Sequence, residues 1–194
     1  MKSNLTHPGD KNMPVILPKQ IGTKEGKLLF QKSEKIMELD QGREIIVSLK
    51  ETLEHYGGVG LAAPQIGIPR KVFIVNIMPT RNYTELPKIG FRAYINPEVL
   101  NSSSETNSDF EGCLSIFYAT VYGLVERSTY LKIKYLDING EEQIDDISHP
   151  FHARVVLHEN DYLDGKIFLQ RIKTEDFSEL YWEEDLDIRK KDST

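Results

Sequence analysis

A histidine followed directly by a glutamate inside a helical run, Leu157-His158-Glu159-Asn160-Asp161-Tyr162-Leu163, is the stretch best suited to chemistry. In the H-E-x-x-H pattern of metal hydrolases, two His four residues apart share one helix face and bind a metal, and the Glu moves protons. His158 and Glu159 fill the first two positions, and Tyr162 stands where the second His would be. Two more stretches carry reactive types. Phe110-Glu111-Gly112-Cys113-Leu114-Ser115 holds the chain's one Cys, after a Gly and between two hydrogen-bonding side chains. By default a lone Cys is a small buried hydrophobe, and less often a nucleophile or ligand. Gly57-Gly58-Val59-Gly60-Leu61-Ala62-Ala63-Pro64-Gln65-Ile66-Gly67 is dense in small residues, which permits close backbone approach to another segment or a ligand. It lacks the Lys of a phosphate loop, and Gln65 is its one polar side chain, a core amide by default.

The elements that must position these residues follow from periodicity. Met1 to Lys27 reads as an extended arm, and residues 28–194 as one domain. Asp40 is a candidate N-cap for a helix through about His55, with Ile45, Ile46, Leu49 and Leu53 as its apolar stripe. Lys71 to Ile77 is a strand. Phe91 to Ile95 is a short strand that Asn96-Pro97 should break. Tyr118 to Leu124 is a strand or a lid. Thr129 to Asp137 alternates apolar and polar residues, and Asn139-Gly140 signals a type I′ hairpin into a return strand, about Glu141 to Ile147. Pro150 suits the first turn of a helix that ends near Gly165. His149 and His152, a turn and a half or more from His158, read as surface or cap residues. Lys166 to Arg171 reads as extended, and about 175–190 as a charged amphipathic helix.

Composition narrows the function classes. The chain has 194 residues, 39% hydrophobic, with 24 basic against 30 acidic side chains and a formal net charge of -6. That balance argues against non-specific nucleic-acid binding, which needs a basic face to displace counterions. No apolar run approaches the roughly 20 residues of a membrane span. The start lacks the apolar core of a secretory signal. A single Cys rules out an internal disulfide and fits a reducing, cytoplasmic setting.

Taken in order, the three stretches resemble peptide deformylases. That family carries G-x-G-L-A-A-x-Q, then E-G-C-L-S, then H-E-x-D-H. Gly58 to Gln65 completes the first motif and Glu111 to Ser115 the second; His158, Glu159 and Asp161 match the third, and Tyr162 departs from it. Ile95-Asn96-Pro97, Tyr135-Leu136-Asp137 before Asn139-Gly140, and Leu163 and Gly165 with Phe168 extend the likeness over about 40–171. Ile116-Phe117 departs from the Val-Pro or similar pair usual in the family's peptide groove. The resemblance implies an α+β fold with the motif helix packed among antiparallel sheets. It implies a divalent metal, typically Fe2+, with Zn2+, Ni2+ or Co2+ able to substitute, held by Cys113, His158 and whatever stands at 162. It implies Glu159 as proton carrier, the Gln65 side chain and Leu114 N–H as oxyanion donors, and Gly58, Val59, Gly60, Glu111 and Gly112 against the substrate. The substrate would be the formyl-methionyl end of nascent chains at the ribosome.

Tyr162 leaves three arrangements open. A metal is bound through Cys113, His158 and the phenolate or a water; or the site is degenerate and holds none; or another side chain completes the shell. A phenol with a reference pKa near 10 needs the metal to ionise it, and its oxygen reaches further from the helix than an imidazole nitrogen. Two function classes follow: a hydrolase that removes formyl groups, and a deformylase-like module that binds peptide N-termini without turnover. Glu159 and Gln65 favour the first, Tyr162 and Ile116-Phe117 the second.

Overall fold

The computed structural model describes residues 15–79, 86–172 and 180–182. Helix α1 (Leu39–Tyr56) follows Glu38, which takes the N-cap position expected of Asp40; Asp40 lies in the first turn. Ile45, Ile46, Leu49 and Leu53 are its buried stripe, and Gly57, at φ +80°, ends it with an N–H to the Leu53 carbonyl. The chain then forms β1 (Gly60–Ala62), a 3-10 turn (Ala63–Ile66) and β2 (Val72–Ile77). Next come β3 (Gly90–Ser102), β4 (Thr106–Gly112), β5 (Val121–Ser128), β6 (Leu131–Leu136), β7 (Glu142–Ile147), helix α2 (Pro150–Leu163) and β8 (Leu180–Trp182). The architecture is α+β: a five-stranded sheet ordered β1-β2-β3-β6-β7 and a three-stranded sheet ordered β4-β5-β8, every pairing antiparallel.

β2 shows why α2 lies inside. Its residues are almost all buried, so both faces must be covered. Val72 and Ile74 join the cluster beneath α1, while Phe73, Val75 and Ile77 join the one containing Ala153, Val156 and Tyr162 of α2. α2 is therefore packed against both sheets, through β1, β2 and β5.

Several elements depart from expectation. β3 is not broken at Asn96-Pro97 but runs 13 residues through a bulge, where the β6 register slips between Ile95 and Glu98. Asn96 takes φ +51°, and its side chain holds both Ile36 N–H (2.7 Å) and Ile36 C=O (2.8 Å). The bulge also relieves Pro97 of a ladder hydrogen bond it cannot donate. The β6–β7 turn is not type I′: only Gly140 has positive φ, with its N–H on the Asp137 carbonyl, the pattern of a type I turn closed by a left-handed Gly. Phe168–Gln170 is a 3-10 turn rather than extended chain. Leu180–Trp182, expected within a helix over 175–190, pairs with β5 as a strand; 175–179 and 183–190 lie outside the described residues. Phe117, Tyr118 and Ala119 are consecutive left-handed residues, so the candidate strand from Tyr118 begins at Val121. Of the arm expected over residues 1–27, residues 15–27 lie on the core, with Ile21 packed against it, and residues 1–14 lie outside the described residues. No helix among the described residues is long and apolar enough to cross a membrane.

Candidate active site

The structure brings the three reactive stretches together. α2 carries His158, Glu159 and Tyr162 inward, all buried. β1 and its 3-10 turn supply Gly60 and Gln65, and the turn after β4 supplies Cys113 and Leu114. Side chains some 50 residues apart in sequence are thus in direct contact.

His158 is gripped from behind. Its Nδ1 lies 2.8 Å from Glu111 Oε2. Arg127 holds the same carboxylate in a fork, Nε to Oε1 at 2.8 Å and Nη2 to Oε2 at 2.9 Å, and Arg154 Nη1 adds 2.8 Å to Oε1. Arg127 also reaches Asp161, which Arg171 clamps from the other side at 2.5 and 3.0 Å. Burial by itself would raise the Glu111 pKa, but hydrogen bonds from Arg127 and His158 outweigh it and hold the carboxyl well below the usual range. Burial likewise disfavours the His158 imidazolium; hydrogen bonds to Cys113 and Glu111 overcome it and raise the pKa well above that of an ordinary His. With Nδ1 committed to Glu111, Nε2 is left for Cys113. Glu111, expected against the substrate, has its carboxylate held by His158, Arg127 and Arg154, the arrangement of a carboxylate behind a metal-binding His. Gly112 also packs inward: a Cβ there would meet the Tyr122 ring at 2.6 Å.

Gln65 is buried with a fixed orientation. Its Oε1 accepts the Ala62 N–H (2.8 Å), so Nε2 faces the site, 3.2 Å from Cys113 Sγ and 3.4 Å from Ser115 Oγ. Glu159 is enclosed. A Cβ on Gly60 would sit 2.6 Å from its Oε1, so glycine is what admits the carboxylate. Glu159 Oε2 is buried without a hydrogen-bond partner among the described residues. Burial, aided by the nearby Glu111 charge, lifts this carboxyl to about 7. Of the other glycine-loop residues, Val59 packs against the main core and Gly58 holds φ +118°.

Tyr162 is 0% exposed, and its Oη lies 2.8 Å from Cys113 Sγ. Burial, with Cys113 beside it, raises the phenol well above its ordinary pKa, so the hydroxyl keeps its proton where it meets the sulfur. This bears on the divalent metal that the resemblance implies. With bond lengths near 2.3 Å to S and 2.0 Å to O, two ligands of one tetrahedral ion lie about 3.5 Å apart. A separation of 2.8 Å marks a hydrogen bond rather than two donors sharing a cation. Among the described residues no group of three His, Cys, Asp or Glu is placed to hold a metal. The donor chemistry thus fits a divalent cation at two positions, Cys113 Sγ and His158 Nε2, with the unpartnered Glu159 oxygen nearby. As a third ligand, Tyr162 does not fit.

His152, expected at the surface, is buried; its Nε2 lies 3.4 Å from Tyr94 Oη, and burial with Arg92 nearby lowers its pKa to about 4. His149 is the exposed N-cap of α2. Sequence reasoning missed Arg127 and Arg154. The signal for Arg127 was its register: Val121, Gly123, Val125 and Arg127 share the buried face of β5, where an Arg demands buried carboxylates. Arg154 stands four residues before His158, on the same helix face.

The comparisons agree with this arrangement. The family model described as polypeptide deformylase matches residues 18–178. A peptide deformylase of Thermotoga neapolitana is 35% identical over 147 residues, 75% of this chain and 82% of that one. One of Treponema pallidum is 40% identical over 141 residues, 72% of this chain and 79% of that one. Among solved structures, the class I type b peptide deformylase of Acinetobacter baumannii with Met-Ala-Ser bound superposes with a TM-score of 0.75 at 32% identity, covering 82% of this chain and 99% of that chain. The Thermotoga maritima peptide deformylase gives 0.71 at 31% identity, covering 83% and 99%. With two motifs complete, the fold shared and the match spanning most of its length, the chain belongs to the peptide deformylase family.

Proposed function

We propose that this protein hydrolyses the N-formyl group from the formyl-methionyl ends of nascent polypeptides. The observation that carries the reading is Glu159: an enclosed carboxyl held near pH 7, one oxygen unpartnered among the described residues, next in the helix to the His158 imidazole. Cys113 and His158 would hold a divalent metal, Fe2+ by family likeness with Zn2+, Ni2+ or Co2+ as substitutes, which when bound supplies the Lewis acidity that makes water a nucleophile near neutral pH. Glu159 takes the proton of the attacking water and returns it to the leaving amine; a pKa near 7 suits both transfers. The Gln65 amide and the Leu114 N–H receive the charge that develops on the formyl oxygen, and one such donor is commonly worth about 10²- to 10³-fold in rate. Gly58, Val59 and Gly60 border the substrate. Glu111 fixes the imidazole and touches no substrate. Partners would be formylated nascent chains in the cytoplasm, without direct nucleic-acid binding.

Formate release from a formyl-Met peptide, by protein loaded anaerobically with Fe2+ or Co2+, tests this. Turnover that Glu159→Ala abolishes supports it; no formate from either loaded form removes it. The second reading, peptide binding without turnover, is favoured by the Tyr162 hydroxyl seated on Cys113. It would give a bound formyl-Met peptide that stays intact.

A further inference from the structure

The two oxyanion donors sit on different sheets. Gln65 belongs to the 3-10 turn beside β1, in the five-stranded sheet, and Leu114 to the turn leaving β4, in the three-stranded one. Donors of this kind work only if their separation is held to about 0.5 Å. One short stretch before α1 bonds to both turns. The Lys19 N–H donates to the Gln65 carbonyl at 2.7 Å, and the Ile21 N–H to the Ser115 carbonyl at 3.0 Å. Between them the Gln20 side chain donates through Nε2 to the Leu114 carbonyl at 2.7 Å, and to Pro18 O at 3.1 Å. Each catalytic turn is thus anchored at the residue carrying its donor. The stretch is itself seated: Pro18 is buried, Ile21 packs on the core, and the Ile16 N–H meets Thr52 Oγ1 of α1.

We propose that Gln20 is a positioning residue of the active site, and that residues 19–21 form a clamp setting the distance between the Gln65 amide and the Leu114 N–H. Gln20 touches no substrate; it acts through the Leu114 peptide. The inference rests on the roles proposed above for Gln65 and Leu114. Because those donors meet charge only in the transition state, loosening the clamp lowers kcat and leaves KM nearly unchanged.

Gln20→Met, of similar length without a donor, and Gln20→Glu, isosteric with an acceptor facing the Leu114 carbonyl, test the clamp in the metal-loaded full chain. The expected result is a kcat about 10-fold lower or more, since misplacement by about 1 Å can cost 10²-fold, with KM within about twofold and an unchanged melting temperature. Leu17→Ala, at an exposed neighbour, should match wild type. A kcat unchanged in both Gln20 variants overturns the proposal. So does a kcat loss that tracks a fall in melting temperature, which marks Gln20 as merely structural. A second arm needs no turnover. In Gln20→Met the Leu114 and Ser115 amide signals and the Gln65 side-chain NH2 signals should move, while those of β6 stay; unmoved site signals overturn the clamp. If wild type releases no formate, the proposed function fails, and this arm alone decides the clamp.

Discussion

Replacing Tyr162 by His should convert a two-donor cradle into a three-donor one. The wild-type hydroxyl spends itself on the Cys113 sulfur at 2.8 Å, and Gln65 Nε2 approaches the same atom at 3.2 Å, so a cation must displace the phenol to reach the thiol. Structural zinc sites with four ligands bind with about 10–16 kcal/mol, or roughly 3 kcal/mol per ligand. One added imidazole should therefore tighten binding about 10²-fold or more. Against this stands the smaller ring in a fully enclosed position, a cavity cost of roughly 1 kcal/mol felt mainly in folding stability. Co2+ titration against a chromophoric chelator reads the affinity, and the visible cobalt bands report the donor set. Tyr162→Phe is the informative control. It removes the hydroxyl without adding a ligand, so it should bind Co2+ as tightly as wild type or modestly tighter. Two results would refute the reasoning: a His variant no tighter than wild type, or a Phe variant that loses binding, which would make the phenol a ligand after all.

Three further outcomes are expected. Glu159 is held at about 7 against an ordinary 4.5; protonated in both states below pH 4.5, it penalises folding increasingly as pH rises from 4.5 to 7, levelling off at about 3 kcal/mol above that. Metal-free Glu159→Gln should thus match wild type near pH 4.5 and be more stable by roughly that amount at pH 8 in urea unfolding, and a constant gap would contradict the cause. Gly60→Ala places a Cβ 2.6 Å from Glu159 Oε1 and 2.9 Å from its Cγ, so the carboxylate must shift; formate release should fall about 10²-fold with little loss of urea stability, and near-normal turnover would show that the position of Glu159 is not critical. Asn96→Ala removes both hydrogen bonds to Ile36 and leaves a left-handed alanine at the bulge. It should cost about 2–3 kcal/mol, and a loss under about 0.5 kcal/mol would assign the bulge no stabilising role.

Local pattern made much of this protein legible. The α1 stripe, the alternation of β6 and the Pro150 start of α2 are short-range features, and each formed because its apolar residues recur at the period of its element. The pairing of Cys113, His158, Glu159 and Gln65 was readable only through family likeness, since nothing local joins residues so far apart. Where local rules misled, tertiary partners had overruled them. Asn96-Pro97 signals a strand end, yet β6 and Ile36 carry β3 through it as a bulge. Leu180–Trp182 lies in a helix-like charged run, yet β5 offers an edge that takes it as a strand. The sequence alone thus determined the locally patterned elements, the family and the chemical types at the site, because these depend on neighbours along the chain. Only the tertiary structure decided that the Tyr162 hydroxyl rests on Cys113, that Glu111 faces three basic side chains, and that Gln20 reaches the Leu114 carbonyl. Those contacts depend on how two sheets close around one helix, and a buried polar atom takes whichever partner that closure places within reach.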